Sequence, residues 1–253
     1  MLRDPILNWE EFTYSNDSEK QKFVQELRNS LFPFGTPNVK YTLLRSSVDG
    51  SRTLCIKVDH GNYDGTLLRI LDEQFIAIAR GQTPPALHSF RHFVDFVYRA
   101  DRDDALGFWA AALRDYEPVS NLIPLHPITN CTKFITVQAS VDEIAAHFNV
   151  TPSTVFQVAY ALLLSHLFGT SDVLLDNLVT GRTADIENAQ LINGTCANFL
   201  PFRTRMEEHD TLARLLKDTQ NNFWKTTEHG TVGLNDIYAH LGKDRQNYSA
   251  KAL

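Results

Sequence analysis

Cysteine is scarce: Cys55, Cys131 and Cys196 are the only three in 253 residues, far apart, odd in number and without a CxxC pair. Neither a disulfide framework nor a structural zinc site is indicated, and a reducing compartment is the expectation. Positive charge is also short, since 24 Lys and Arg face 30 Asp and Glu for a net charge of −6. That balance offers no basic surplus to neutralise a phosphate backbone, so nucleic acid is not an expected partner. Apolar runs such as Ala159–Leu164 stop well short of the ~20 residues a membrane span requires. The N-terminus MLRDPILNWEEF lacks the apolar core of a signal peptide. The sequons at Asn16, Asn130, Asn149, Asn193 and Asn247 are therefore discounted as glycosylation sites, and a cytoplasmic chain is expected. Repeats and low-complexity segments are missing too.

What is present is apolar material, 43% hydrophobic and 11% aromatic residues, enough for one large domain or two lobes. Phe23–Leu31 reads as a short amphipathic helix stopped by Pro33 and Gly35. Val39–Arg45 and Thr53–Val58 read as strands of a hairpin around Asp49-Gly50. Leu67, Leu68, Leu71, Phe75 and Ile78 then mark an amphipathic helix to about Arg80, followed by helices at Phe90–Arg99 and Asp101–Tyr116. Phe90, Phe93, Phe96 and Val97 form a stripe expected to face a core.

The second half begins after an irregular, proline-containing stretch, with a strand at Phe134–Ala139 and a helix near Val141–Phe148. Thr151 as N-cap, Pro152 at the first position and Gly169 at the end bound a helix that is apolar on nearly every side, and burial is expected for it. Strands at Val173–Val179 and Phe199–Arg203 and a helix at Asp210–Trp224 complete the pattern. The class is α+β, with two lobes, 1–116 and 133–253, joined by a connection over 117–132.

One stretch carries chemistry: Val58-Asp59-His60-Gly61-Asn62-Tyr63-Asp64-Gly65, a strand ending in a histidine with Asp-Gly four residues on. An imidazole with an ordinary pKa near 6.5 is available at neutral pH to accept a proton or orient an amine. Asp64 suits a helix N-cap, and Gly65 permits a sharp turn. By spacing alone, a loop histidine before an ordinary capped helix fits the same letters. The other eight histidines show no ligand spacing, so no metal site is expected. Nothing near Cys55 would activate it, and it is expected to be a buried strand residue.

Four further segments make a resemblance specific. DHGNYDG stands where condensation domains of nonribosomal peptide synthetases carry HHxxxDG. TPSTVFQVAYALLLSHLFGTSDVLLDNLVTGR resembles that family's second-lobe helix, strand and Gly-Arg segment, and INGTCANFLPFR its later Gly-x-x-x-Asn motif ending in Arg. FRHFVDFVYRADRDDALGFWAAAL is similar to its connecting helices, and EHGTVGLNDIYAHLG is most like fungal members.

The resemblance implies a two-lobed fold like chloramphenicol acetyltransferase, each lobe a mixed sheet packed with helices, incomplete at both termini. It implies an amide-forming acyltransferase whose donor rides on the phosphopantetheine of a peptidyl or acyl carrier protein, with adjoining synthetase modules as further partners. No cofactor or metal of its own is implied. His60 would position or deprotonate the amine, in a tunnel between the lobes. Asp64 and Gly65 would support it, with Arg182 as the expected partner of Asp64, while Asp59 and Asn198 would line the tunnel.

Departures accompany the match. Asp59 replaces the family's first histidine, and an acid interacting with His60 would favour its protonated form. Asp176 stands where glycine is common and places a carboxylate near the interior or tunnel. The acidic balance works mildly against docking an acidic carrier. Three activities remain open on the sequence: condensation, with terminal cyclisation and release as a variant; a non-catalytic fragment that binds carrier protein; and a coenzyme A-dependent O/N-acyltransferase. No DFGWG segment of the plant-type coenzyme A enzymes is present.

Overall fold

A computed structural model describes residues 7–118, 134, 136, 138–183 and 186–243. The strands are β1 (Trp9–Tyr14), β2 (Val39–Ser46), β3 (Arg52–Val58), β4 (His88–Ser89), β5 (Asp172–Val179), β6 (Ile192–Asn193) and β7 (Asn198–Arg205). The helices are α1 (Asp17–Asn29), α2 (Gly65–Ala79), α3 (Arg91–Arg99), α4 (Arg102–Ala112), α5 (Val141–Phe148), α6 (Pro152–Phe168), α7 (Leu212–Glu228) and α8 (Leu234–His240). They fall into two compact units, residues 1–90 with 190–195, and residues 91–189 with 196–253.

The first unit is built on a sheet in the order β1-β2-β3, with β1 parallel to β2 and β2 antiparallel to β3. The expected hairpin is present, and its turn depends on Gly50 at φ +71°. Hydrogen bonds from Ser46 and Ser51 hold the Asp49 carboxyl at a pKa of about 2. Strand β1 escaped the sequence reading because only Trp9, Phe12 and Tyr14 carry its apolar character. α1 starts six residues before the expected Phe23, because the polar stretch there is its first turn. Asn16 accepts the Glu19 N–H, and Glu19 accepts from the Ser15 N–H and hydroxyl. Phe23 then stacks on Phe12, ring centroids 4.0 Å apart, fixing the helix to the sheet.

The second unit carries the three hydrophobic clusters found among the described residues. β5 and β7 pair antiparallel, from Asp172 opposite Arg205 to Val179 opposite Asn198. Trp109, 1% exposed, packs with Leu174, Leu200, Leu234, Ile237 and Tyr238, and its indole N–H donates to the His229 carbonyl at 3.0 Å. Arg203 donates to both Asp172 carboxylate oxygens and also to the Ala112 and Arg114 carbonyls at the end of α4. These two side chains bind α4 to β7. Contacts group residues 91–116 with the second unit, and 119–132 of the expected 117–132 connection lies outside the described residues. The expected strand over 134–139 also falls there in part, at 135 and 137.

Three expectations about burial fail. α6 keeps its Thr151 cap, Pro152 start and left-handed Gly169 end, yet only the stripe Thr154, Val158, Ala161 and Leu164 is buried. Phe156 is 61% exposed, and Leu163 and Leu167 are exposed with it. An all-apolar helix shows no periodicity, so the sequence could not say that one face alone meets α5 and α7. Likewise α2 buries Leu67 and Ile70, whereas Leu68, Leu71, Phe75 and Ile78 are exposed. Cys55, expected inside, is half-buried. Among the described residues, no single helix is long and apolar enough to cross a membrane.

Because Trp109 is 1% exposed within its hydrophobic cluster, Trp109→Ala is expected to destabilise the second unit by about 3–5 kcal/mol in urea unfolding. A loss under about 1 kcal/mol would show that the tryptophan does not organise this core. The Asp49 carboxyl, depressed from 3.8 to about 2, should strengthen the hairpin turn fully above pH 3.8 and cease to do so as pH falls to about 2. A carboxyl NMR titration with its midpoint near 3.8 would contradict this bonding.

Candidate functional site

Strand β3 ends at Val58, and the chain turns through a single 3-10 turn, His60–Asn62. Two side chains hold it. The Asp59 carboxylate accepts the Gly61 N–H at 2.9 Å, and the Thr195 hydroxyl donates to the Gly61 carbonyl at 3.1 Å. The Asp59 and Asn62 positions are further tied to the Asn38 carbonyl. On this turn His60 is exposed, its ring stacked on Tyr63 at 4.6 Å and 15°. Stacking restricts the imidazole's orientation while leaving one ring face and its edge to solvent.

Asp59 was expected to line a tunnel; its carboxylate is used as the cap of the His60 turn. Thr195 was missed, and no local pattern signals it, because it lies 134 residues from its partner. Its loop reaches the first unit through the β4–β6 pair, His88 opposite Ile192. Gly194 makes this approach feasible, since a Cβ there would stand 2.2 Å from the Phe90 ring.

Asp64 behaves as its letter suggests. It is 6% exposed, in extended conformation, and its carboxylate accepts the Leu67 N–H at 2.8 Å at the head of α2. Gly65 does not: its φ is not positive, and a Cβ there meets nothing within 4 Å. The turn into α2 is made by Asp64, so the sharp turn expected of Gly65 is absent. A side chain at Gly65 would enter open space.

Arg182 and Asn198 belong to the second unit. Arg182 is 3% exposed and donates from Nη1 to the Ala189 carbonyl at 3.0 Å, which excludes a solvated residue after a glycine turn. Gly181 before it has φ +65°, and a Cβ would fall 1.9 Å from the Cys196 carbonyl oxygen, so glycine is required there. Asn198, expected to line the tunnel, has its amide nitrogen engaged with backbone. Its Nδ2 donates to the carbonyls of Gly230 and Val232, at 3.0 and 2.9 Å, fixing that loop. Asp176, expected near the interior or a tunnel, accepts the Tyr238 hydroxyl at 2.9 Å and so ties β5 to α8. Among the described residues no group of three or more His, Cys, Asp or Glu is arranged to hold a metal ion.

The geometry thus offers an exposed imidazole on a pinned turn, with a capped helix following it in the chain. Comparison with known proteins gives it a context. The family model described as Condensation domain matches residues 6–252. Nonribosomal peptide synthetase 7 of Aspergillus fumigatus is 38% identical over 255 residues, covering 100% of this chain and 11% of its own length. The crystal structure of holo T3CT superposes with a TM-score of 0.75 at 25% identity, over 94% of this chain and 56% of that one. The condensation domain from Monacolin K polyketide synthase MokA shares the fold, with a TM-score of 0.68 at 17% identity over 96% of this chain and 60% of that one.

Asp64→Ala is expected to lower stability by about 0.5–2 kcal/mol through loss of the α2 cap. Asp64→Asn keeps an acceptor for the Leu67 N–H, so its gap from the native chain measures what the negative charge adds, and its gap from Asp64→Ala what the acceptor adds. Identical melting of Asp64→Ala and the native chain would contradict the capping role.

Proposed function

The chain belongs to the condensation domain family, and from that premise we propose that it joins a carrier-bound acyl thioester to an amine at His60. The observation that carries the proposal is the exposure of this imidazole on a turn fixed by Asp59 and Thr195. The amine nitrogen attacks the thioester carbonyl, forming the C–N bond. The C–S bond breaks, and the proton lost by the amine reaches the departing thiolate. His60 orients the amine and carries that proton, a contribution of roughly 10²–10⁴-fold. Positioning of the two substrates supplies much of the remainder.

Asp64 holds the start of α2, and Arg182 with Gly181 fixes the turn after β5. Both are supporting residues. Asp59 acts through the backbone of the His60 turn, and Asn198 through the 230–232 loop. The partners proposed are a carrier protein bearing phosphopantetheine, which delivers the substrates, and the adjoining modules of a synthetase. The chain spans 11% of the length of the relative named above. Cyclisation with release uses the same bond changes with an internal nucleophile.

With donor and acceptor carriers loaded, His60→Ala should reduce amide formation by at least about 10²-fold with unchanged melting. Turnover equal to the native chain would remove His60 from the chemistry. Carrier binding without product by the native chain would instead select the non-catalytic alternative, and turnover with coenzyme A thioesters alone the third. Gly65→Ala, at a position where a methyl group meets nothing, should melt no lower than native while slowing amide formation. A native rate would show that the space at Gly65 is not used by substrate.

A further inference from the structure

A histidine that handles a proton is usually aimed by a hydrogen bond from its second ring nitrogen to a carboxylate or a carbonyl. Among the described residues, none accepts a hydrogen bond from the His60 ring. Asp59, the adjacent acid, directs its Oδ1 to the Gly61 N–H instead. What meets the imidazole is the Tyr63 ring, nearly parallel to it, with centroids 4.6 Å apart and an interplanar angle of 15°.

The local chain explains why that ring is in place. Tyr63 is extended, at φ −144° and ψ 154°, and its N–H donates to the His60 carbonyl at 3.4 Å. The next residue is Asp64, buried and bonded to the start of α2. The Tyr63 backbone is thus held on both sides. Tyr63 is half-buried, and it shares a cleft of the first unit with Val58 at the end of β3 and Leu68 of α2, whereas His60 is exposed. Its hydroxyl makes no hydrogen bond to a described residue, so the face of the ring is the part in use.

We propose that Tyr63 is a positioning residue for the transfer, holding the His60 imidazole by its face where a hydrogen-bond acceptor would ordinarily hold such a ring by its edge. This role rests on the reading of His60 given above. Stacking fixes the plane of the imidazole and leaves both nitrogens at its edge free, one to meet the amine and the other to face water, without selecting a tautomer. A plane fixed before the amine arrives reduces the freedom lost in reaching the reactive geometry. The benefit falls on turnover and not on how tightly the loaded carriers bind.

The test compares Tyr63→Leu, which keeps apolar bulk and removes the aromatic face, with Tyr63→Phe, which keeps the face and removes the hydroxyl. In ¹H NMR of the whole chain, the His60 ring protons are assigned by their loss in His60→Ala. They should lie upfield of those of a free histidine because of the Tyr63 ring current, stay there in Tyr63→Phe and move back in Tyr63→Leu. With donor and acceptor carriers loaded, Tyr63→Leu should lower kcat by about ten-fold or more at unchanged KM, and Tyr63→Phe should restore kcat to within about three-fold of native. Unshifted His60 protons in the native chain, native kcat in Tyr63→Leu, a change in KM alone, or failure of Tyr63→Phe to restore turnover would each overturn the role. The NMR comparison of the native chain with Tyr63→Phe needs neither turnover nor a stable leucine variant. An upfield shift in a native chain that forms no amide contradicts the condensation reading alone, and amide formation at the native kcat by Tyr63→Leu contradicts the role of Tyr63 alone.

Discussion

The Asp59 carboxylate, accepting the Gly61 N–H at 2.9 Å, closes the turn that ends β3, and Thr195 secures the Gly61 carbonyl from far along the chain. A histidine following a strand without these bonds would sample many orientations, and ordering it would fall to the substrate. Here the backbone is already placed, and the Tyr63 ring limits what the side chain can do. The glycines around it are specific in purpose. Gly194 lets the Thr195 loop come close to Phe90, while Gly181 lets the corresponding turn of the second unit lie against Cys196.

The second unit shows how supporting residues act at a distance through ordinary bonds. Arg203 joins the end of α4 to β5 and β7 by a bidentate ion pair and two carbonyl contacts, an arrangement suited to guanidinium geometry. Asp176 and Tyr238 tie β5 to α8, and Asn198 fixes the loop before α8. Polar residues that the sequence placed near a substrate path are therefore fastened to backbone and core. The aromatic stripe of α3, which the sequence placed in a core, is what lines an opening.

Local chemistry was legible in the sequence and long-range pairing was not. The Asp64 cap, the Thr151-Pro152 start of α6, its Gly169 stop and the β2–β3 hairpin each depend on a few adjacent residues, and each is found where the letters predict. The family resemblance read from DHGNYDG, the Gly-Arg segment and the Gly-x-x-x-Asn segment is matched by a family model over nearly the whole chain. The attachment of α4 to the second unit rests on Arg203 and Trp109, whose partners lie about 90 to 120 residues away. The exposed faces of α2 and α6 show the same limit, since an apolar stripe says which residues resemble one another and not which of them are covered.

The central claim is that an acyl group is presented to the exposed imidazole of His60. The most direct measurement is the ¹⁵N NMR response of the histidine side chains to a hydrolysis-resistant pantetheine amide of an amino acid. The account predicts a saturable shift at His60 larger than at any other histidine, with the same apparent affinity as inhibition of amide formation. Saturation of the analogue with His60 unmoved would contradict it.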